Sequence, residues 1–124
     1  MKKIKALFID VVAQTVSEVE TTNVNPSYKA ILGYDSIDGV YMDGKRYCYV
    51  DSYGLLKEPM RFFRLANFSR LFAGNGLLVE IDDVGRDIST SFDVKEVRNG
   101  ITFYEVTAIK SVLRSEERRV GKEC

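Results

Sequence analysis

The sequence has no histidine in 124 residues. That excludes Ser-His-Asp and Cys-His nucleophilic schemes and histidine-ligated zinc. Cysteine is scarce. Cys48 and Cys124 lie far apart with no partner motif, which argues against a zinc site or a disulfide framework. No run of about 18 apolar residues occurs, so no membrane span is expected. The opening MKKIKALFID sets two lysines before an apolar run, as a signal peptide would, but Lys5 and Asp10 interrupt it. A buried first strand and a cytosolic protein are the expectation. An excess of one charge is missing too: 18 basic and 18 acidic residues cancel. Diffuse binding to a DNA or RNA polymer or to an acidic membrane is therefore not expected, and any positive site must be local. There is no GxxxxGK[ST] and no GxGxxG opening a helix. AGNG at 73–76 is only a turn signal.

What is present is ordinary for a globular chain: 45% apolar and 29% charged residues. The length suits one domain with one core. Lys3 to Asp10 reads as a central strand, and Val16 to Thr21 as its hairpin partner. In TVSEVE, Val16, Glu18 and Glu20 share one face and Val19 takes the other. Pro26 fits the start of a short helix to Leu32, with Asn25 as its cap and Gly33 as its stop. Tyr28, Ile31 and Leu32 would form its buried face.

Ser36 to Met42 and Arg46 to Asp51 read as strands joined by an Asp43-Gly44 hairpin turn. Tyr47 and Tyr49 would share one face of the second, and Cys48 and Val50 the other. Asp51-Ser52-Tyr53-Gly54 closes it as a turn. Leu77 to Asp82 reads as a strand, and Asp82 to Asp87 as a charged turn around Gly85. Thr90 or Ser91 would cap a helix over about 92–98, ended by Asn99-Gly100. Ile101 to Ala108 is the last strand. The sum is an α+β domain with a mostly antiparallel sheet of about six strands and two or three short helices.

The stretch from Lys57 to Glu80 stands out by composition. It holds Lys57, Arg61, Arg64 and Arg70, four of the seven phenylalanines (Phe62, Phe63, Phe68, Phe72), and the amides Asn67 and Asn75. Lys57, Arg61 and Arg64 would line one side of a helix. If the segment is extended, Arg61 and Phe63 share one face while Phe62 and Arg64 share the other. Residues 59–66 fit either state. Arginine forks suit a pyrophosphate, an aromatic ring or guanidinium can stack on a base, and Asn can bond an adenine edge. Arg61, Arg64 and Arg70 are thus candidate phosphate ligands, and Phe62, Phe63 and Phe72 candidate stacking rings. Asn67, Asn75 and the Gly74 and Gly76 amides are candidate readers of an edge or a phosphate. The bland alternative is phenylalanines in the core with arginine stems lying over it.

Other clusters are weaker. Asp82-Asp83, with Glu80 nearby, and the Glu18/Glu20 pair could serve a hydrolase only if two carboxylates faced one bond in a cleft. Adjacent Asp residues are commonly turn formers. Tyr41, Tyr47, Tyr49 and Tyr53 could line an oligomer face or a half-buried sheet surface. Cys48, between two tyrosines, reads as a small buried thiol.

The last eleven residues, RSEERRVGKEC, change character. They resemble, over their whole length, the frame translation of a common short-read sequencing adapter. The resemblance implies a natural gene cut short, with a single domain over 1–113 and a non-native tail over 114–124. Setting aside the tail's four basic and three acidic residues leaves 14 basic and 15 acidic. The basic cluster over 57–70 is then more conspicuous.

The pattern FID…TVSEVE, YVDSYGLLKEP, FFRL and LFAGNGLLV resembles a widespread family of small phage and prophage proteins. The likeness runs from Lys3 to Ile81, and more faintly through Val106. Within that group the chain is similar to the first described type of anti-Thoeris sponge proteins. The resemblance implies a phage immune-evasion protein in the bacterial cytoplasm. It would bind and sequester, without cleaving it, the cyclic ADP-ribose isomer made by a TIR-domain enzyme. It also implies a homo-oligomer, possible binding of cyclic oligonucleotides, no metal and no cofactor. A protein–protein inhibitor of a host defence enzyme, or a hydrolase using Glu80, Asp82 and Asp83, stays open beside it.

Overall fold

The computed structural model describes residues 2–42, 44–53, 61–66, 68 and 70–104. Lys57, Asn67, the part of the expected last strand after Tyr104 and the adapter-like tail lie outside the described residues. The architecture is α+β, and every strand pairing among the described residues is antiparallel.

Strand β1 (Lys3–Asp10) pairs with β2 (Thr15–Thr22) over its full length, from Lys3 opposite Thr22 to Asp10 opposite Thr15. Asp10 shapes the connection, its carboxylate accepting from the Val12 and Ala13 amides at 3.0 Å each. Strand β3 (Ile37–Tyr41) pairs with β4 (Arg46–Asp51). Strand β7 (Gly76–Ile81) lies between the two hairpins, bonded to β1 and β4. The larger sheet therefore runs β2-β1-β7-β4-β3, with the short β8 (Asp87–Ile88) added to β7. A smaller sheet has the order β6 (Phe72–Ala73), β5 (Phe62–Arg64), β9 (Thr102–Tyr104).

Strand alternation sends side chains to two separate cores. Ile4, Ala6, Leu77 and Val79 pack on one face beneath Tyr28 and Leu32 of α1 (Asn25–Leu32), with Tyr47 and Tyr49 beside them. Leu7, Ile9, Val16, Cys48, Val50 and Leu78 point the other way, against Phe63, Leu65 and Phe72 of the smaller-sheet region. Helix α2 (Val94–Gly100) adds Val94 and Val97 at the margin of that second core. Both strand-face assignments for β4 hold.

Four local expectations are corrected. Val24, not Asn25, is the N-cap of α1, and it makes no side-chain cap bond. Asn25 is already helical, so the Pro26 ring sits within the first turn. Gly33 does end the helix, at φ 79°, a conformation glycine adopts without the Cβ penalty. Helix α2 starts at Val94 after the N-cap Asp93, because the Thr90 hydroxyl instead accepts from the Phe92 amide at 3.2 Å, forming a turn before the helix. The 82–87 turn ends in a strand, β8, that pairs Ile88 with Glu80.

Residues 62–64 are extended, which settles the open choice for that part of the 59–66 segment. Phe63 pairs with Phe72 on one side and with Phe103 on the other.

Candidate functional site

The arginine–phenylalanine stretch divides into a core part and an exposed part. Phe62, Phe63 and Phe72 are buried, none above 4% exposure. Phe63 and Phe72 stack with centroids 5.1 Å apart, and Phe68 also stacks on Phe72, at 5.7 Å. Their contacts are with one another and with the core, and Phe72 alone of them also borders the cleft described below, with 2% of its surface exposed. The three candidate stacking rings are thus core residues in this structure.

The glycine turn is also engaged internally. The Gly74 N–H donates to the Arg61 carbonyl at 2.7 Å, and Gly74 takes φ 84° beside the Tyr34 hydroxyl. The Asn75 amide donates to that hydroxyl at 2.7 Å. Asn75 Oδ1 accepts from the Val11 amide at 2.9 Å, tying the end of β1 to the turn. Gly76 begins β7 opposite Ile9 and Val50 and is buried. These residues brace the turn that joins the two sheets.

The three arginines sit in different settings. Arg64 is exposed, in register with Thr102 of β9. Arg61 is half-buried, and its Nε has no hydrogen-bond partner among the described residues. Arg70 lines a cleft of about 390 Å³ formed by described residues. Its guanidinium lies over the Phe72 ring, 5.5 Å from the centroid, at the edge of the phenylalanine stack.

That cleft runs between β6 and the far end of the β3–β4 hairpin. Asp38, Val50, Tyr53, Arg70 and Leu71 are among its walls. The hairpin register places Asp38 opposite Val50, hence on the face turned toward the smaller sheet. The turn after β4 is fixed by Asp51, whose carboxylate accepts from the Tyr53 amide at 3.0 Å. It is fixed further by the Ser52 amide bonding the Ser36 carbonyl and by the two serine hydroxyls, each at 3.0 Å. Tyr53 is left 56% exposed at the rim and Leu71 41%. Asp38 and Arg70 are exposed on opposite walls, and no ion pair engages either among the described residues.

Of the carboxylates suggested for a hydrolase, Glu80 and Asp82 are occupied, while Asp83 is exposed. Burial pushes Glu80 up, but the Ser91 hydroxyl and amide, the Thr90 hydroxyl and the Lys45 charge outweigh it and hold it below the usual range. The Ser91 amide and hydroxyl lie 2.5 and 2.6 Å from Glu80 Oε2. Asp82 caps its own turn, accepting from the Arg86 amide at 2.8 Å, the Arg86 Nε at 2.9 Å and the Val84 amide at 3.0 Å. The Arg86 amide is the main cause that depresses its pKa. Glu18 and Glu20 sit 3.9 Å from Lys5 and Lys3 on an exposed sheet face.

The tyrosines do not form one surface. Tyr28 and Tyr49 both donate to Asp87 Oδ2, at 2.7 and 2.6 Å, and their rings lie 4.6 Å apart. Tyr47 packs edge-on against Tyr49. Tyr41 and Tyr53 are exposed, Tyr41 bonding the Gly44 carbonyl. Burial pushes the Cys48 thiol up to about 12, only partly offset by a Leu77 backbone bond and the Arg70 charge, so it stays protonated at neutral pH. No metal-ligand group of three or more His, Cys, Asp or Glu occurs among the described residues. No helix among them is long and apolar enough to cross a membrane.

Sequence reasoning did not single out Asp38, and it offered Tyr53 only as a candidate for an oligomer face. The signal was available: folding the 36–51 hairpin about Gly44 brings Asp38 beside Val50. It went unused because Asp38 belongs to no motif. Comparison with protein-family models, with curated protein sequences and with solved structures returns no match to this chain.

Proposed function

We propose that the protein binds a small phosphorylated ribonucleoside, of the cyclic ADP-ribose type, in the Arg70–Asp38 cleft and holds it without cleaving it. The observation that carries this reading is one cavity of about 390 Å³ with Arg70 on one wall and Asp38 on the other, neither held in an ion pair among the described residues. A volume in this range suits a small organic ligand. Arg70 can form charge-assisted bonds to one phosphate. Tyr53, exposed at the rim, offers a ring face. Glu80 and Asp82, both held ionised by their hydrogen bonds, are poorly suited to donate a proton, which favours holding over hydrolysis. The specific ligand, the phage origin, the bacterial cytoplasm as location and assembly as a homo-oligomer follow the sequence resemblance.

A second reading, an inhibitor that docks on a host protein, draws on exposed Tyr41, Tyr53 and Leu71. Calorimetric titration with cyclic ADP-ribose separates the two. The sponge reading expects saturable binding that Arg70→Gln weakens about tenfold or more, since a hydrogen bond to a charged group is worth roughly 1.5–3 kcal/mol. Heat-free titration of the wild-type protein, with host protein captured instead, would favour the second reading.

A further inference from the structure

The two walls of the cleft ask for different groups on one ligand. Arg70 supplies donors for an anion. Asp38 supplies acceptors only, since an ionised carboxylate has no proton to donate. A ligand made of phosphate alone would leave Asp38 facing a like charge. A ligand with a hydroxyl pair at one end and a phosphate at the other satisfies both walls. Ribose presents such hydroxyls, and an acidic side chain is a recurrent partner of the ribose 2′-hydroxyl.

Asp38 is placed for that role by its strand. It stands in register with Val50, one residue before the Asp51–Tyr53 turn, so it faces the same side as Arg70's phenylalanine stack. Asp51 lines the same cleft, but its carboxylate is 8% exposed and already accepts from the Tyr53 amide. Asp38 is exposed, and no hydrogen bond or ion pair engages it among the described residues. Gly39 follows it, with the Tyr47 ring lying across the glycine. That contact packs the hairpin on its other face and leaves the Asp38 side unobstructed by its neighbour.

We infer that Asp38 is the specificity-determining residue of this cleft, selecting ligands that carry free ribose hydroxyls over deoxy or purely phosphate ligands. The inference rests on the nucleotide-binding reading above. A site built to bond a hydroxyl rejects the analogue that lacks it, because the acceptor is then desolvated without a partner.

The test titrates cyclic ADP-ribose, an analogue lacking the ribose 2′-hydroxyls, and inorganic pyrophosphate into the wild-type protein, Asp38→Ala, Asp38→Asn and Arg70→Gln. The wild type is expected to prefer the hydroxylated nucleotide on the order of tenfold. Asp38→Ala is expected to lose that preference while still binding the deoxy analogue. Asp38→Asn, of the same shape, is expected to lose most of it. Arg70→Gln is expected to weaken both nucleotides together and keep their ratio. Equal preference in the wild type and Asp38→Ala, with binding intact, overturns the role of Asp38 and leaves the cleft standing. No binding of any of the three ligands to the wild type overturns the nucleotide reading itself, and this inference with it. Thermal melts of each variant identify a folding defect, and in that event Asp38→Asn decides.

Discussion

The ring of Phe63 rests directly on the backbone of Gly76. A Cβ at Gly76 would lie 2.6 Å from Phe63 Cζ and 3.2 Å from Cys48 Sγ. Phe63 is fully buried and stacked on Phe72, so it has no room to retreat. This contact seats the smaller sheet on the larger one. Gly76→Ala is expected to destabilise the fold by roughly 1–3 kcal/mol through overpacking. Urea denaturation measures it, and an unchanged midpoint would mean that the two sheets are not packed this closely.

The same stack separates a core role from a ligand role for the phenylalanines. Phe72→Ala is expected to cost about 3–5 kcal/mol. Leu71→Ala, next in the chain but 41% exposed, is expected to stay within about 0.5 kcal/mol. Chemical denaturation of both variants without ligand is the check. A stable Phe72→Ala protein would return that ring to the list of ligand contacts.

Burial, and then the bonds to Asp87, push the Tyr28 and Tyr49 phenols far above the usual tyrosine range. Each phenol therefore keeps its proton longer when folded than when unfolded. The stability this contributes is complete below about pH 10, the unfolded tyrosine value, and is lost as pH rises beyond it. The double variant Tyr28→Phe/Tyr49→Phe is expected to be less stable at neutral pH, by about 1 kcal/mol for each lost bond. It is also expected to show a flatter decline above pH 10. Parallel alkaline melts would contradict the Tyr–Asp–Tyr cluster.

Glu80 behaves in the opposite sense. Burial acts to raise its pKa, but the bonds from Ser91 and Thr90 leave it lowered. Its contribution is therefore present above the unfolded glutamate value of about 4.3 and is lost as pH falls through the depressed folded value. Glu80→Ala is expected to lower stability at neutral pH by roughly 1.5–3 kcal/mol, with a smaller deficit in acid. A deficit that does not shrink in acid would contradict an ionised Glu80 holding the approach to α2.

The parts of the fold that were readable share a physical cause. Lys3–Asp10 and Arg46–Asp51 announce themselves because alternating side chains meet a core on each face and a clear turn bounds each strand. The cap at Val24 was not readable, because Asn25 has the better capping side chain and the backbone does not use it. Composition marked the 57–80 stretch but not the direction of its side chains. Phe63 and Phe72 carry the same chemistry whether they hold a base or a sheet, and burial alone separates these. Asp38 was invisible for the converse reason: its meaning comes from Arg70, which is brought across from it only by the fold.

Under the proposed function, the protein holds a nucleotide and releases it unchanged. The most direct measurement incubates the protein with the cyclic ADP-ribose isomer, removes the protein by filtration, and analyses filtrate and heat-denatured retentate by mass spectrometry. The expected result is a filtrate depleted of nucleotide and a retentate that returns it at its original mass, with depletion lost in Arg70→Gln. Nucleotide left free in the wild-type filtrate, or recovered as a hydrolysed product, would contradict the claim.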